Sequence, residues 1–159
     1  MDKPTFEART RALWPAMVRT ARCIVRQQSD AEDAAAQAVL NCWKALPRLR
    51  DENAFEAWAM RSCINEAKMI LRRQRRVEPR DEIPSPAIPG PGETLSLRDM
   101  LMCLPERDRL PLALMYESGL SLEQIAKALG VPRGTAASRL SRARTKLKTI
   151  LEKEGYLNE

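Results

Sequence analysis

Histidine is absent from the 159-residue sequence, and its four cysteines, Cys23, Cys42, Cys63 and Cys103, form no C-x-x-C pair. Structural zinc sites use closely spaced pairs of cysteine or histidine ligands, so the usual zinc spacings are missing. Without histidine, a Cys–His catalytic pair is excluded as well. We therefore expect no metal, no cofactor and no catalytic residue, and we interpret the cysteines as reduced, buried residues.

Aromatic residues and glycine are also scarce: aromatic side chains make up 4% of the sequence, and there are only 6 glycines. Alanine, leucine, arginine and glutamate dominate instead, and this composition predicts an all-α protein. No apolar run approaches membrane-spanning length, so we expect no membrane insertion. The N-terminal residues are charged throughout, which argues against a signal peptide and predicts a cytoplasmic protein.

Positive charge is in excess. The formal net charge is +6 and the sequence pI is about 9.5, which favours an anionic partner such as nucleic acid. Prolines divide the chain, because the stretch Val77–Gly92 holds five prolines and two glycines. That composition predicts a semi-extended linker, residues 77–94, between two helical units at 1–76 and 95–159.

In the second unit, residues 121–151 have the pattern of two helices joined by a tight turn. Ser121 and Gln124 have the spacing of a capping box. Gly130 suits the left-handed residue that ends the first helix, and Pro132 suits the first turn of the next. That longer helix carries an apolar stripe at alternating spacings of four and three residues, formed by Ala136, Leu140, Ala143, Leu147 and Ile150.

The face opposite this stripe consists of small residues, namely Gly134, Ser138, Ser141 and Thr145. Arginines and lysines flank them, and no acid occurs between residues 133 and 150. Small residues allow a helix to approach base edges in the major groove, while Arg and Lys hold phosphates. The alternative is an ordinary solvated basic face, but the combination with the capped turn favours DNA recognition by a helix-turn-helix.

Three or four helices are predicted in the first unit. The first runs from Phe6 to about Gln28, with a bend or restart at Pro15. The second opens at a capping box formed by Ser29 and Glu32 and ends near residue 46. Its apolar side is Ala35, Val39, Cys42, Trp43 and Leu46, and its polar stripe is Asp30, Asp33, Gln37, Asn41 and Lys44. From the residues alone, that stripe is equally a solvent face or a docking surface.

A polar loop, Pro47–Asn53, precedes a long helix predicted over Ala54–Arg76. The second half of this helix is strongly basic, with Lys68, Arg72, Arg73, Arg75 and Arg76. Cations at a helix end can simply complement the helix dipole. Five of them, with Asn65 one turn earlier, favour contact with nucleic acid instead.

In this order, the elements resemble the extracytoplasmic-function sigma factors, the smallest sigma subunits of bacterial RNA polymerase, from about Leu13 to Leu151. Asp30–Asp33 with Leu40 and Trp43 resembles the core-binding helix of that family. The promoter-melting helix is matched by Phe55, Trp58, Asn65 and Leu71–Arg73. The helix-turn-helix domain of the family, called sigma region 4, is matched by Leu104–Arg107, Gly119–Ser121, Gln124–Ala126, Gly134–Thr135 and Ser138–Arg144.

The resemblance implies two all-α domains, sigma region 2 and sigma region 4, and assigns three sets of site residues. The recognition helix would read the upstream (−35) promoter element through Arg133, Thr135, Ser138, Arg139, Arg142 and Arg144. The loop and the basic helix would hold the −10 element through Arg48, Asn53, Asn65, Lys68, Arg72 and Arg73. The polar stripe, Asp30, Asp33, Gln37, Asn41 and Lys44, would dock on the polymerase.

The same resemblance implies the partners. They are core RNA polymerase, contacted at the clamp of its largest subunit and at its flap, promoter DNA, and an anti-sigma factor that silences the chain. The free protein would be a monomer without enzymatic activity. The alternative is a stand-alone helix-turn-helix regulator, which would bind an operator without polymerase.

Overall fold

The computed structural model describes residues 1–77, 97–153 and 155. All regular secondary structure in these residues is helical, which confirms the predicted all-α fold. The helices are α1 Lys3–Ala21, α2 Gln28–Ala45, α3 Phe55–Val77, α4 Leu97–Met102, α5 Glu106–Tyr116, α6 Leu122–Leu129 and α7 Arg133–Lys153. Two single-turn 3₁₀ helices, Leu46–Arg48 and Glu52–Ala54, connect α2 to α3. Residue 77 ends α3, and the rest of the predicted linker lies outside the described residues.

Helix α1 is continuous through Pro15 and ends at Ala21, so the prediction that it reaches Gln28 is wrong. Ile24 and Val25 follow in a turn, yet they are 2% and 1% exposed. Apolar residues at helical spacing therefore continue past the end of the helix. A buried turn and a buried helix face give the same sequence pattern, which explains the error.

Helix α2 begins without the predicted capping box. Gln27 is the N-cap residue and makes no side-chain cap bond, so Ser29 lies inside the first turn. Glu32 accepts a hydrogen bond from Nε2 of Gln28 at 3.1 Å instead. Because the helix starts before Ser29, the Ser29–Glu32 pair loses the N-cap geometry on which a capping box depends.

The buried side of α2 is narrower than predicted. Ala35 and Cys42 are buried, but Trp43, predicted on the apolar side, is 43% exposed. Its ring stacks at a tilt on Phe6 of α1, with the ring centroids 5.1 Å apart. Four buried alanines, Ala31, Ala34, Ala35 and Ala38, form the centre of the contact with the neighbouring helices.

Helices α1, α2 and α3 pack together, and α5, α6 and α7 form a second group with α4 on its edge. The two groups also touch, because α3 packs against α6 and α1 packs against α5. One apolar core therefore runs through both halves of the described chain. A smaller cluster, Leu104, Leu112, Leu140 and Ala143, holds α7 against α5.

Candidate nucleic-acid interface

The signals predicted for the two ends of α6 are confirmed. Ser121 Oγ accepts from the backbone N–H of Gln124 at 3.2 Å, and Gln124 Oε1 accepts from the N–H of Ser121 at 2.9 Å. Gly130 ends α6 in the left-handed conformation, with φ of +67°. That value favours glycine, because a Cβ is strained there. The turn thus fixes how α7 leaves α6.

Helix α7 has the two faces that its sequence predicts. Ala136, Leu140 and Ala143 are buried, and Leu147 and Ile150 pack on the smaller cluster. On the opposite side, the small residues Gly134, Ser138, Ser141 and Thr145 are all exposed. An alanine side chain at position 134 would meet nothing within 4 Å. The outer face is therefore open enough for another molecule to approach the helix backbone closely.

The six predicted −35 residues lie along the outward part of α7. Arg133, Ser138, Arg142 and Arg144 are exposed, and Thr135 and Arg139 are half-buried. Arg144 leans towards α5, where its Nη2 lies 2.9 Å from the sulfur of Met115. No carboxylate occurs among residues 133–150 to neutralise this face. The arrangement suits the binding of phosphates on either side of a groove.

Five of the six predicted −10 residues are exposed, namely Arg48, Asn53, Asn65, Arg72 and Arg73. The sixth, Lys68, is half-buried, and its Nζ lies 3.6 Å from Oε1 of Glu106 on α5. Met69, which the sequence did not single out, is 45% exposed. The outer side of α3 therefore combines amide, thioether and guanidinium groups, while Lys68 faces the second half of the chain.

The polar stripe of α2 divides into an inner and an outer edge. Asp30 accepts from Nε2 of Gln74 at 2.7 Å, and Asn41 donates to Oε1 of Glu66 at 2.9 Å. These two residues are tied to α3. Asp33, Gln37 and Lys44 are exposed, and Leu40 is 50% exposed. The outer edge of the stripe is therefore an exposed surface in which one leucine is surrounded by polar groups.

A shallow cleft of about 520 Å³ lies between α3 and the helix-turn-helix. Arg61 of α3 forms one wall, and Arg133 at the start of α7 belongs to the other. No sequence pattern pointed to Arg61, because contact between the two halves depends on tertiary packing. The cleft brings a cation of α3 next to the first residue of the predicted recognition helix.

The cysteines behave as core residues. Cys23, Cys42 and Cys63 are buried and Cys103 is half-buried, and none of the four forms a disulfide within the part of the chain that the structure describes. Burial raises the pKa of Cys23 and of Cys42 to about 11, and that of Cys63 to about 12. Such thiols stay protonated at neutral pH and are poor nucleophiles and metal ligands.

Within residues 1–77, 97–153 and 155, no group of three or more cysteine or acidic side chains is arranged to hold a metal ion. None of the helices in those ranges is both long and apolar enough to cross a membrane.

Comparison with known proteins gives two family matches that follow each other along the chain. The family model for "Sigma-70 region 2" matches residues 11–77, and that for "Sigma-70, region 4" matches residues 94–147. The chain is 30% identical to the ECF RNA polymerase sigma factor SigM of Mycobacterium tuberculosis over 161 aligned positions. That alignment covers 99% of this chain and 81% of SigM. The chain is also 32% identical to the RNA polymerase sigma-H factor of Pseudomonas aeruginosa, and that alignment covers 80% of this chain and 76% of the sigma-H factor.

Among solved structures, the fold is similar to the sigma factor RpoE from Bartonella quintana, crystallised in complex with the anti-sigma factor NepR. The TM-score is 0.76 at 24% sequence identity, and the match covers 94% of this chain and 98% of RpoE. At this level of identity, the similarity shows the fold alone.

Proposed function

The chain belongs to the extracytoplasmic-function sigma factors of the sigma-70 family, and on that premise we propose that it binds core RNA polymerase and directs it to a defined set of promoters. The observation that carries the proposal is the order of two sigma-specific regions along one chain, combined with an exposed, acid-free basic face on α7. The relatives favour this function over that of a stand-alone helix-turn-helix regulator.

In the proposed function, α7 lies in the major groove of the −35 element. Arg133, Arg139 and Arg142 supply the contacts to phosphates and guanines, since an arginine can pair bidentately with O6 and N7 of guanine. Thr135 and Ser138 read bases at close range, and Arg144 holds the backbone. The exposed Gly134 supports this role, because an added Cβ there would meet nothing in the protein, and the same open space admits DNA.

The second contact is with the −10 element, through the outer side of α3 and the loop before it. Arg48, Arg72 and Arg73 bind phosphates, and Asn53 and Asn65 bind base edges. Opening a duplex costs a few kcal/mol per step, so a protein that holds an unstacked base must offset that cost. Lys68 is the sixth residue of this set, and it reaches DNA only after release from Glu106.

Docking on the polymerase uses the outer edge of the α2 stripe. Asp33, Gln37 and Lys44 contact the clamp of the largest subunit around the exposed Leu40. Asp30 and Asn41 contribute chiefly by fixing α2 against α3, because both side chains are hydrogen-bonded to that helix. The region 4 half meets the polymerase flap. The proposed domain boundaries are 1–76 and 95–159, with the linker between them.

The chain works in the cytoplasm, without a cofactor, a metal or catalysis of its own, and it is monomeric when free. Phosphodiester synthesis belongs to the polymerase. An anti-sigma factor is part of the proposal, because a fold neighbour was crystallised with one. Such an inhibitor would cover the exposed edge of α2, where it competes with the polymerase.

The test is transcription from a genomic DNA library by sigma-free core polymerase, with and without the purified chain. We expect new start sites that share a −35 and a −10 sequence, and their loss in the variant Arg139→Ala/Arg142→Ala. The control is Arg11→Ala/Lys153→Ala, which removes the same charge from exposed positions in α1 and at the end of α7. Operator binding without any polymerase association would favour the stand-alone regulator.

A further inference from the structure

Positively charged side chains converge on the cleft where α3, α6 and the start of α7 meet. The cleft has a volume of about 520 Å³, which is the size of a small-molecule site. Arg61 of α3, Lys127 of α6 and Arg133 of α7 line it, and all three residues are exposed. Glu123 is the only acid among the described residues that line the cleft. Positive charge is therefore in excess around one concave surface.

These three cations are not neutralised by acids of the described chain. Within residues 1–77, 97–153 and 155, none of them forms an ion pair. Lys68, in contrast, pairs with Glu106 at 3.6 Å. A single unpaired cation on an open surface is merely solvated, but three cations from three helices around one cleft concentrate positive potential inside it. The cleft should therefore attract a small anion.

Arg61 is placed by the fold, because its guanidinium lies against the turn between α6 and α7. A Cβ at Gly130 would lie 3.1 Å from Nη2 of Arg61 and 3.3 Å from its Cζ. Since Gly130 has no side chain, the guanidinium can approach the backbone this closely. Arg61 is thus ordered next to the turn that leads into Arg133, which lowers the entropic cost of holding a ligand there.

The backbone at the cleft adds hydrogen-bond donors to those of the side chains. The N–H groups of Gly130 and Val131 donate to carbonyls of α6 at 3.2 and 3.0 Å, so the C-terminal end of α6 is capped. Helix α7 makes its first backbone bond from the N–H of Ala136 to the carbonyl of Pro132. The N–H groups of residues 133–135 precede that bond and have no carbonyl partner within the helix. They favour an anion at a place that the three cations already define.

We propose that this cleft binds a nucleoside di- or triphosphate. The phosphates contact the three cations, and each arginine can pair with two phosphate oxygens at once. Ala126, Val131 and Pro132 also line the cleft and give the base and ribose an apolar surface. Duplex DNA carries the same phosphates, but 520 Å³ is the volume of a cube with edges of about 8 Å, and the major groove alone is about 12 Å wide. The ligand that fits inside is a free nucleotide.

Isothermal titration calorimetry of the full chain with ATP tests binding. We expect one saturable site, and Arg61→Ala/Lys127→Ala should weaken it at least about tenfold, because hydrogen bonds to charged groups are lost. The matched control, Arg11→Ala/Lys153→Ala, removes the same charge from exposed positions outside the cleft and should bind ATP like the wild type. Equal losses in both double variants would reduce the site to non-specific attraction and overturn the proposal.

Glu123→Gln gives a prediction of opposite sign, which a misfolded variant could not produce. Removing the only acid among the described lining residues should tighten ATP binding by about two- to fivefold, since exposed charges are partly screened. Citrate is the chemical control, because it carries several negative charges but has neither phosphates nor a ring, and it should bind at least about tenfold more weakly than ATP. An affinity for ATP that is unchanged or weaker in Glu123→Gln would contradict the site.

NMR of the full chain during the ATP titration locates the ligand. We expect the largest shifts in the backbone amides of Arg133, Gly134 and Thr135 and in the Nε–H signal of Arg61. Shifts centred on the basic end of α3 or on the outward face of α7 would overturn the proposal.

A short DNA duplex, titrated into the free chain, separates the two sources of phosphate. Arg61→Ala should change duplex affinity by less than about twofold, because the duplex is too wide for the cleft, while it weakens ATP binding. An equal loss for duplex and ATP would make the cleft part of a DNA-binding surface and contradict the assignment to a nucleotide.

The inference goes beyond the proposed function and does not depend on it, although Arg133 belongs to both sites. A chain that binds ATP through the cleft but never starts transcription contradicts the proposed function and supports the nucleotide site. A chain that transcribes but binds no ATP supports the function and overturns the nucleotide site.

Discussion

Nζ of Lys146 on α7 lies 2.6 Å from Oδ2 of Asp108 on α5, and the carboxylate is completely buried. The lysine side chain remains 42% exposed, so this ion pair is anchored at its acidic end. It fixes the middle of the recognition helix to the helix beneath it. Lys146 is therefore part of the support of α7, although its sequence position is typical of a phosphate contact.

Removing either partner of this pair should have unequal effects. Lys146→Met leaves a buried carboxylate without its cation, and we expect it to lower the free energy of unfolding by about 3 kcal/mol. Asp108→Asn leaves a lysine that can turn to water, and the expected cost is only about 1 kcal/mol. Lys148→Met, at an exposed position of the same helix, should change stability by less than about 0.5 kcal/mol. Urea unfolding measures all three, and equal costs for the first two would contradict the assignment.

Gly134 should separate stability from DNA binding. Gly134→Ala places a methyl group where the protein has open space, and alanine is a better helix former than glycine by about 0.5–1 kcal/mol. We expect a more stable protein that binds its promoter less tightly, because the methyl group occupies the space needed by the bases. Thermal unfolding and promoter binding by the polymerase complex give the two readouts. A variant that binds DNA as well as the wild type would mean that position 134 faces solvent in the complex.

Arg142 and Arg139 should differ from the general basic surface. Alanine at either position is expected to weaken promoter binding by about 1–3 kcal/mol if a bidentate base contact is lost. The effect should then depend on the base at one promoter position. A pure phosphate contact would weaken all sequences equally and reduce the slope of log affinity against log salt by about 1. Fluorescence anisotropy of the polymerase complex at several salt concentrations distinguishes the two, with Arg11→Ala as the control.

The outer and inner edges of the α2 stripe should respond differently to substitution. Asp33→Lys reverses an exposed charge and should weaken polymerase binding without changing the free energy of unfolding by more than about 0.5 kcal/mol. Asn41→Ala removes the bond to Glu66 and should destabilise the fold by about 1 kcal/mol. Pull-down with core polymerase and urea unfolding provide the measurements. If Asp33→Lys unfolds the chain, the role of Asp33 is to stabilise α2 rather than to bind polymerase.

Alkaline pH should lower the free energy of unfolding, because the buried thiols ionise more readily in the unfolded chain. Burial raises the pKa of Cys63 from 9.0 to about 12 in the folded chain, whereas the unfolded chain ionises near the ordinary value. The corresponding contribution to stability is complete below pH 9 and is lost as pH rises through the folded value. Each such thiol adds a slope of about 1.4 kcal/mol per pH unit. Between pH 9 and 10, Cys63→Ala should lose stability less steeply than the wild type, and identical slopes would contradict the assignment.

The elements that depend on local chemistry were predictable from the sequence. The Ser121–Gln124 cap, the left-handed Gly130 and the two faces of α7 follow from side chains within a few residues of one another, and all are confirmed. The prediction of a Ser29–Glu32 capping box was wrong because a matching pair of residues does not determine where a helix starts. The predicted end of α1 was wrong because Ile24 and Val25 are buried without being helical.

The sites were predictable as patches rather than as individual contacts. Exposure of Arg142 or Arg72 follows from helical periodicity. The contacts of three other residues do not follow from it, because only packing brings their partners near. These contacts are Lys68 with Glu106, Asp30 with Gln74, and Asn41 with Glu66. The roles of all these residues in binding polymerase and DNA stay predictions. Contact between the halves had no sequence signal, since α6 would bury the same apolar residues within a helix-turn-helix alone.

The alanines of α2 have a consequence for how this surface can vary. Ala31, Ala34, Ala35 and Ala38 have no exposed area, and side chains this small let neighbouring helix axes approach to about 8 Å. A close approach of this kind helps to bring Asp30 and Asn41 within hydrogen-bonding distance of Gln74 and Glu66 on α3. A valine in their place would push the helices apart, break both hydrogen bonds and tilt the outward edge with Asp33. If the polymerase docks on the outer edge of α2 as proposed, the shape it meets is determined by the smallest side chains on the opposite side of the helix.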